Sequence, residues 1–275
     1  MAGSEPNRER ARTASGEDLA GLLHHHEPDV LLALLDNPAL EETQLCLLLD
    51  RKDLPGEVVE EVARRKPLLK NYRVKRALAF HPRTPRLASL RLIRELYLMD
   101  LVQLTLLTGI SAELKRNAEE QLLARLPQLP LGQKITLARR GTARVAGALL
   151  AEGHAQVLAV VLDNPGLTEA QVLKALSRES LPVGVVKAVA QHRKWSHTYN
   201  VRLALVRHPG STLSTILAYL PELTVSDLRE LAAPGIVSES LRKYLLAEIQ
   251  QRIRRGEKWV GTADPTGEPD ASNSG

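Results

Sequence analysis

The chain of 275 residues contains one cysteine, Cys46, one phenylalanine and two tryptophans, and aromatic residues make up only 3% of it. A single cysteine cannot close an internal disulfide, and without a cysteine cluster no zinc or iron–sulfur site of the usual spacing can form. Strands favour aromatic and β-branched residues, so a chain poor in aromatics and dominated by Leu and Ala leans toward helix. No uninterrupted apolar segment is long enough to span a bilayer. The opening stretch MAGSEPNRERARTASG has no apolar core of the kind a secretory leader needs. These absences lead to the expectation of a reducing, cytoplasmic setting. Catalytic signatures are missing too: there is no Walker loop, no Gly-rich dinucleotide fingerprint, no Gly-x-Ser-x-Gly and no His-Glu-x-x-His. The expectation is a chain that is not an enzyme and holds no cofactor or metal. The formal charge of +5, from 37 basic and 32 acidic residues, is a milder excess than dedicated nucleic-acid binders carry.

What the chain does have is repetition. LLDNPALEETQ at Leu34–Gln44 returns as VLDNPGLTEAQ at Val161–Gln171, an offset of 164 − 37 = 127 between the Asn-Pro pairs. The same offset aligns Leu54-Pro55 with Leu181-Pro182, Tyr72 with Tyr199, His81-Pro82 with His208-Pro209 and Asp100-Leu101 with Asp227-Leu228. No gap is needed from Val30 to about Leu126. Inside each copy a shorter period appears: Pro38 to Pro82, and again Pro165 to Pro209, is 44 residues, a length typical of two- and three-helix solenoid units. Local signals are helical. Thr168-Glu-Ala-Gln171 fits a capping box, Thr224-Val-Ser-Asp227 opens another helix, and Val201, Ala204, Leu205 and His208 share one helix face. The reading is all-α, about sixteen short helices and no sheet. Copy one spans residues 30–126, an intervening helical unit 127–156, and copy two 157–253, within a folded region 16–259. Residues 1–15 and 260–275 are polar and read as disordered tails.

Several residues invite a functional reading. Asp36-Asn37-Pro38 and Asp163-Asn164-Pro165 could pair carboxylates, but this composition is that of a helix exit. His81 and His208 each continue the apolar stripe of a helix and sit at its C-terminal end, where an imidazole can bond terminal carbonyls. His24-His25-His26 point about 100° apart on a helix and do not converge on one ion. The most distinctive stretch is QHRKWSHTY at Gln191–Tyr199, whose partner in copy one is RRKPLLKNY at Arg64–Tyr72. Trp, Tyr and Arg dominate binding hot spots, so His192, Arg193, Lys194, Trp195, His197 and Tyr199, with Tyr72, are the candidate partner-binding residues. The competing reading is that Trp195 fills a gap between helices. Arg64, Arg65, Lys66, Lys70, Arg73, Arg139, Arg140 and Arg144 form the candidate basic surface. A solenoid would line such residues up along one face that could track a phosphate backbone, unless interspersed acids neutralise it.

The pattern Val-Arg-x-Ala-Leu-Val-x-His-Pro-x-Ser at Val201–Ser211, with Val-Lys-x-Ala-Leu-Ala-x-His-Pro-x-Thr at Val74–Thr84, resembles the units of HEAT-like and leucine-rich-repeat-variant α-solenoids. The resemblance covers roughly residues 17–255. It implies a right-handed α-solenoid and a general scaffold rather than a particular activity. The cysteine-rich cluster module that some leucine-rich-variant proteins carry has no counterpart here. The function expected is a binding scaffold for protein partners. The alternative is nucleic-acid binding, of the kind seen in HEAT-like DNA glycosylases, on a basic concave face. Neither a membrane nor a small-molecule substrate is expected.

Overall fold

A computed structural model describes residues 4–255, and the expected tail at 260–275 lies outside them. The described residues form eighteen α-helices and no strand. The first nine are α1 (Ser4–Thr13), α2 (Gly16–Leu22), α3 (Pro28–Leu34), α4 (Glu42–Asp50), α5 (Gly56–Arg64), α6 (Tyr72–Phe80), α7 (Arg86–Ile93), α8 (Leu98–Leu106) and α9 (Ala112–Arg125). The second nine are α10 (Leu131–Arg140), α11 (Ala143–Glu152), α12 (Ala155–Leu162), α13 (Glu169–Leu176), α14 (Val183–Gln191), α15 (Tyr199–Arg207), α16 (Leu213–Tyr219), α17 (Val225–Leu231) and α18 (Glu239–Arg254). Each helix of the second set begins 127 residues after its counterpart, from 131 − 4 at α10 to 239 − 112 at α18.

This register corrects two expectations. Residues 127–156 are not an additional unit between the copies, because α10 and α11 are the counterparts of α1 and α2. The shared residues there are few and mostly buried: Ala11 with Ala138 and Leu22-Leu23 with Leu149-Leu150, beside the exposed pair Arg12 and Arg139. Nor is the segment 1–15 a disordered tail throughout. Its polar composition hides a helix with a narrow apolar face, on which Ala11 is wholly buried and Ala14 nearly so. The Asn37 amide fastens it by donating to the carbonyls of Ala11 and Ala14, each at 2.8 Å. Thus the asparagine of the repeated Asp-Asn-Pro works through its side chain, satisfying carbonyls that the end of α1 leaves unpaired.

The helices group in threes. The first and third of a triplet touch in α1 with α3, α4 with α6, α7 with α9, and α13 with α15. Packing divides the chain into two compact units, one ending at Val145 and the other beginning at Ala146. The break does not fall between the copies, since α10 groups with the first unit. No helix among the described residues is long and apolar enough to cross a membrane.

Capping follows the sequence in part. Thr224 accepts from the Asp227 amide at 3.1 Å, as its pattern predicts. Thr168 is the N-cap of α13 but makes no side-chain cap bond. Gln171 lies instead against α11, where a Cβ on Gly147 would stand 2.5 Å from its Oε1. The reciprocal box forms in the other copy, between Glu41 and Gln44.

Both helix-end histidines reach back to an earlier helix. His81 Nε2 stands 3.0 Å from the Arg51 carbonyl and His208 Nε2 3.1 Å from that of Arg178. In each, Nδ1 accepts a backbone amide, from Arg83 at 3.2 Å and from Gly210 at 2.9 Å. With Nδ1 accepting an amide, the tautomer that fits both bonds carries its proton on Nε2 and donates it to the carbonyl. Burial holds the His81 pKa below its ordinary 6.5, against the opposing pull of the Arg51 carbonyl. The unfolded chain therefore takes up this proton first as pH falls. The contribution of His81 is complete above its unfolded pKa and is lost as pH drops through the folded one. We expect unfolding free energy to decline as pH falls from about 7 through the ordinary histidine range and below it, and His81→Asn to flatten that decline. Urea titrations across this range check it; an unchanged slope in the variant would assign the acid sensitivity elsewhere.

Candidate functional site

The stretch QHRKWSHTY buries its tryptophan rather than presenting it. Trp195, in a short 3-10 turn (Trp195–His197), is 2% exposed, and its indole donates to the Leu162 carbonyl at 3.0 Å. It is the gap-filling residue, and its role as an exposed anchor is withdrawn. Lys194 covers the ring, its ammonium 4.1 Å from the ring centroid. His192 is half-buried and faces Asp163, Nε2 to Oδ1 at 3.2 Å. His197 Nδ1 accepts from Arg202 at 3.2 Å. Arg193, Lys194 and His197 remain exposed.

The copies solve one problem here with different residues. Leu35 and Leu162 are counterparts, as are Asp36 and Asp163. In copy one Arg65 serves both, donating to the Leu35 carbonyl at 2.7 Å and pairing with Asp36 at 2.8 Å. In copy two His192, the counterpart of Arg65, takes Asp163, and Trp195 takes the Leu162 carbonyl. The divergence that drew attention to this stretch is thus an exchange of structural ties.

The tyrosines are ties as well. Tyr72 donates to Asp100 and accepts from the Tyr97 amide at 2.8 Å; Tyr199 donates to Asp227 and accepts from the Thr224 amide at 3.1 Å. Burial, reinforced by the hydrogen bond to Asp100, pushes the Tyr72 phenol up to about 12. Both hydroxyls are occupied within the fold and both side chains are half-buried, so neither offers a free polar anchor.

The candidate basic residues do not act as one uniform set. Arg64 pairs with Glu60 at 2.6 Å, Arg65 with Glu61 at 2.9 Å, and Arg73 and Arg144 stand 3.8 Å from Glu42 and Glu119. Lys66, Lys70, Arg139 and Arg140 are exposed and have no acidic partner among the described residues. Surface ion pairs are individually weak, but they neutralise half of the field a phosphate backbone would meet. Among the described residues no three of His, Cys, Asp and Glu are placed to hold a metal ion.

Sequence reasoning missed a large concavity. Within the second compact unit a cleft of about 970 Å³ opens beneath α15, between α16 and the start of α18. Leu213 and Leu217 line it from α16, Ile236 and Val237 from the preceding turn, and Leu241 and Tyr244 from α18. Gly235, at φ +85°, lets the chain turn into this wall, and Ser238 caps α18 by accepting from the Leu241 amide at 3.4 Å. Behind the cleft Val206, Ile216 and Leu241 join a buried cluster with Leu228, Leu231 and Leu245. The lips are different: Leu213 is 62% exposed, Tyr244 49% and Ile236 41%. His208 lies at the same cleft with both ring nitrogens engaged. This arrangement can bind apolar groups. Compared with protein families, curated proteins and solved structures, the chain matches none.

Proposed function

We propose that the chain is a binding scaffold for protein partners, without catalytic activity, built as a right-handed α-solenoid of the HEAT-like and leucine-rich-repeat-variant kind. The duplicated triplets and the matching helix-end ties support that architecture. The observation that carries the function is the cleft at α16 and α18, where large apolar side chains gather in water. Exposed apolar residues scattered singly need no explanation, but a cluster around a concavity is the signature of an interaction site. Covering the half of each that is still exposed would contribute roughly 1 kcal/mol apiece before the cost of association.

Affinity capture on the tagged full chain, with and without nuclease, tests this reading. Protein partners retained after nuclease treatment are the expected result. Loss of every partner on nuclease treatment would replace the scaffold with a nucleic-acid binder working through residues such as Arg139 and Arg140.

A further inference from the structure

The two copies treat the same place in opposite ways. In copy one Arg86, at the start of α7, grips Glu113 of α9 with two parallel bonds, at 2.8 and 2.5 Å, and α7 packs against α9 there. Their counterparts 127 residues on are Leu213 and Ser240, which can form no ion pair, and the close approach is not repeated by α16 and α18. Other positions shift in the same sense: Ser89 becomes Ile216, Gly109 becomes Ile236 and Asn117 becomes Tyr244. Folding stability accounts for Ile216, which is buried, but not for Leu213, Ile236 and Tyr244, each of which keeps two-fifths or more of its surface in water. The change makes sense if something else covers them.

The charges at the cleft narrow what that is. Arg207 is neutralised by Glu230 at 2.9 Å. Glu179 also lines the cleft and has no partner among the described residues, so the free charge facing an occupant is negative. The volume of about 970 Å³ accommodates several large side chains rather than one.

We propose, resting on the scaffold reading, that this cleft receives an amphipathic helical segment of a protein partner. Large apolar residues of the segment, at i, i+3 or i+4 and i+7, seat between Leu213, Leu217, Ile236 and Tyr244, and a flanking lysine or arginine meets Glu179. This is the helix-in-groove mode of peptide recognition. In copy one the Arg86–Glu113 clasp spans the corresponding place, so the two halves share a framework and differ in what they offer there.

The test uses random peptides of about 16 residues, some four helical turns, displayed on phage and selected on the full chain. The expected result is enrichment of apolar residues at helical spacing beside Lys or Arg. Selected peptides should lose about tenfold or more in affinity, at least 1.4 kcal/mol, on the Leu213→Arg/Ser240→Glu double variant that installs the clasp. Tyr244→Asn, a change at an exposed position to the residue of the other copy, should weaken them too, and it carries the test if the double variant does not fold. Glu179→Lys should turn the selection from basic toward acidic flanks. No enrichment, or affinity indifferent to these variants, overturns the proposal. So does a solution mass that halves in the double variant, which would make the occupant a second copy of the chain. Removal of residues 256–275 raising affinity about tenfold overturns it as well, since the occupant would then be the chain's own end. Protein partners captured equally by the wild type and the double variant would sink the cleft and leave the scaffold standing.

Discussion

Trp195→Ala lowers the unfolding free energy by about 4 kcal/mol, a large share of what holds a domain of this size together. The indole is 2% exposed and donates to the Leu162 carbonyl, so the substitution opens a cavity and orphans a buried acceptor. The cost alone would not distinguish this site from any other core position; the rescue would. Copy one has Leu68 at the place of Trp195 and Arg65 at the place of His192. Trp195→Leu should therefore cost about 2–3 kcal/mol alone. Adding His192→Arg should recover about 1–2 kcal/mol of that by supplying a guanidinium for both the Leu162 carbonyl and Asp163. Urea unfolding of the two single variants and the double variant measures the coupling. Strict additivity would mean that the exchange of ties between copies is not the reason these residues differ.

Gly153→Ala should cost about 2–4 kcal/mol, from two separable causes. Gly153 sits at φ +76°, in the left-handed region, and a Cβ there would stand 2.8 Å from Pro182 Cγ and 2.9 Å from Val185 Cγ2. Gly109 has the same backbone conformation, φ +81°, with nothing within 4 Å of a Cβ. Gly109→Ala should then show only the backbone strain, about 1 kcal/mol. Thermal or urea unfolding of both variants separates steric crowding from strain. Equal costs would show that the contact with Pro182 and Val185 yields easily.

Much of the fold was legible from spacing. The gapless offset of 127 and the helical periodicity lead to an all-helical, internally duplicated chain, and the structure has that helical duplication. The duplication was underread at its start, because α1 and α2 share few residues with α10 and α11 beyond those that are buried. A narrow buried face leaves the rest of a short helix free to vary, and polar composition then imitates a tail. Disagreement between the copies marks more than one place, and the one most conspicuous in sequence is structural. Trp195 replaces Leu68 to complete a tie that Arg65 makes elsewhere, and a sequence does not show which atom an indole reaches. The pairs Arg86 with Leu213 and Asn117 with Tyr244 carried the other signal: a charged or polar residue giving way to an apolar one. Whether such a residue points into the core or into water is decided by packing across helices distant in sequence, so Leu213 reads as core until its exposure is known.

The ties overlap along the chain like roof tiles. In copy one they run from Ala11 to Asn37, Leu23 to Arg51, Leu35 to Arg65, Arg51 to His81, Tyr72 to Asp100 and Leu96 to Arg125, each beginning before the previous one has ended. An added residue in a surface loop ordinarily costs little, because loop entropy grows slowly with length. Between Ala11 and Arg125 any insertion falls under at least one tie, and within a helix it also turns everything beyond it by about 100°. The chain is therefore free to change its side chains and not its length. That explains why two halves so altered in residue keep every helix start in step. It also means that what distinguishes the two halves is written in their side chains, so that specialisation has proceeded by repainting an existing surface.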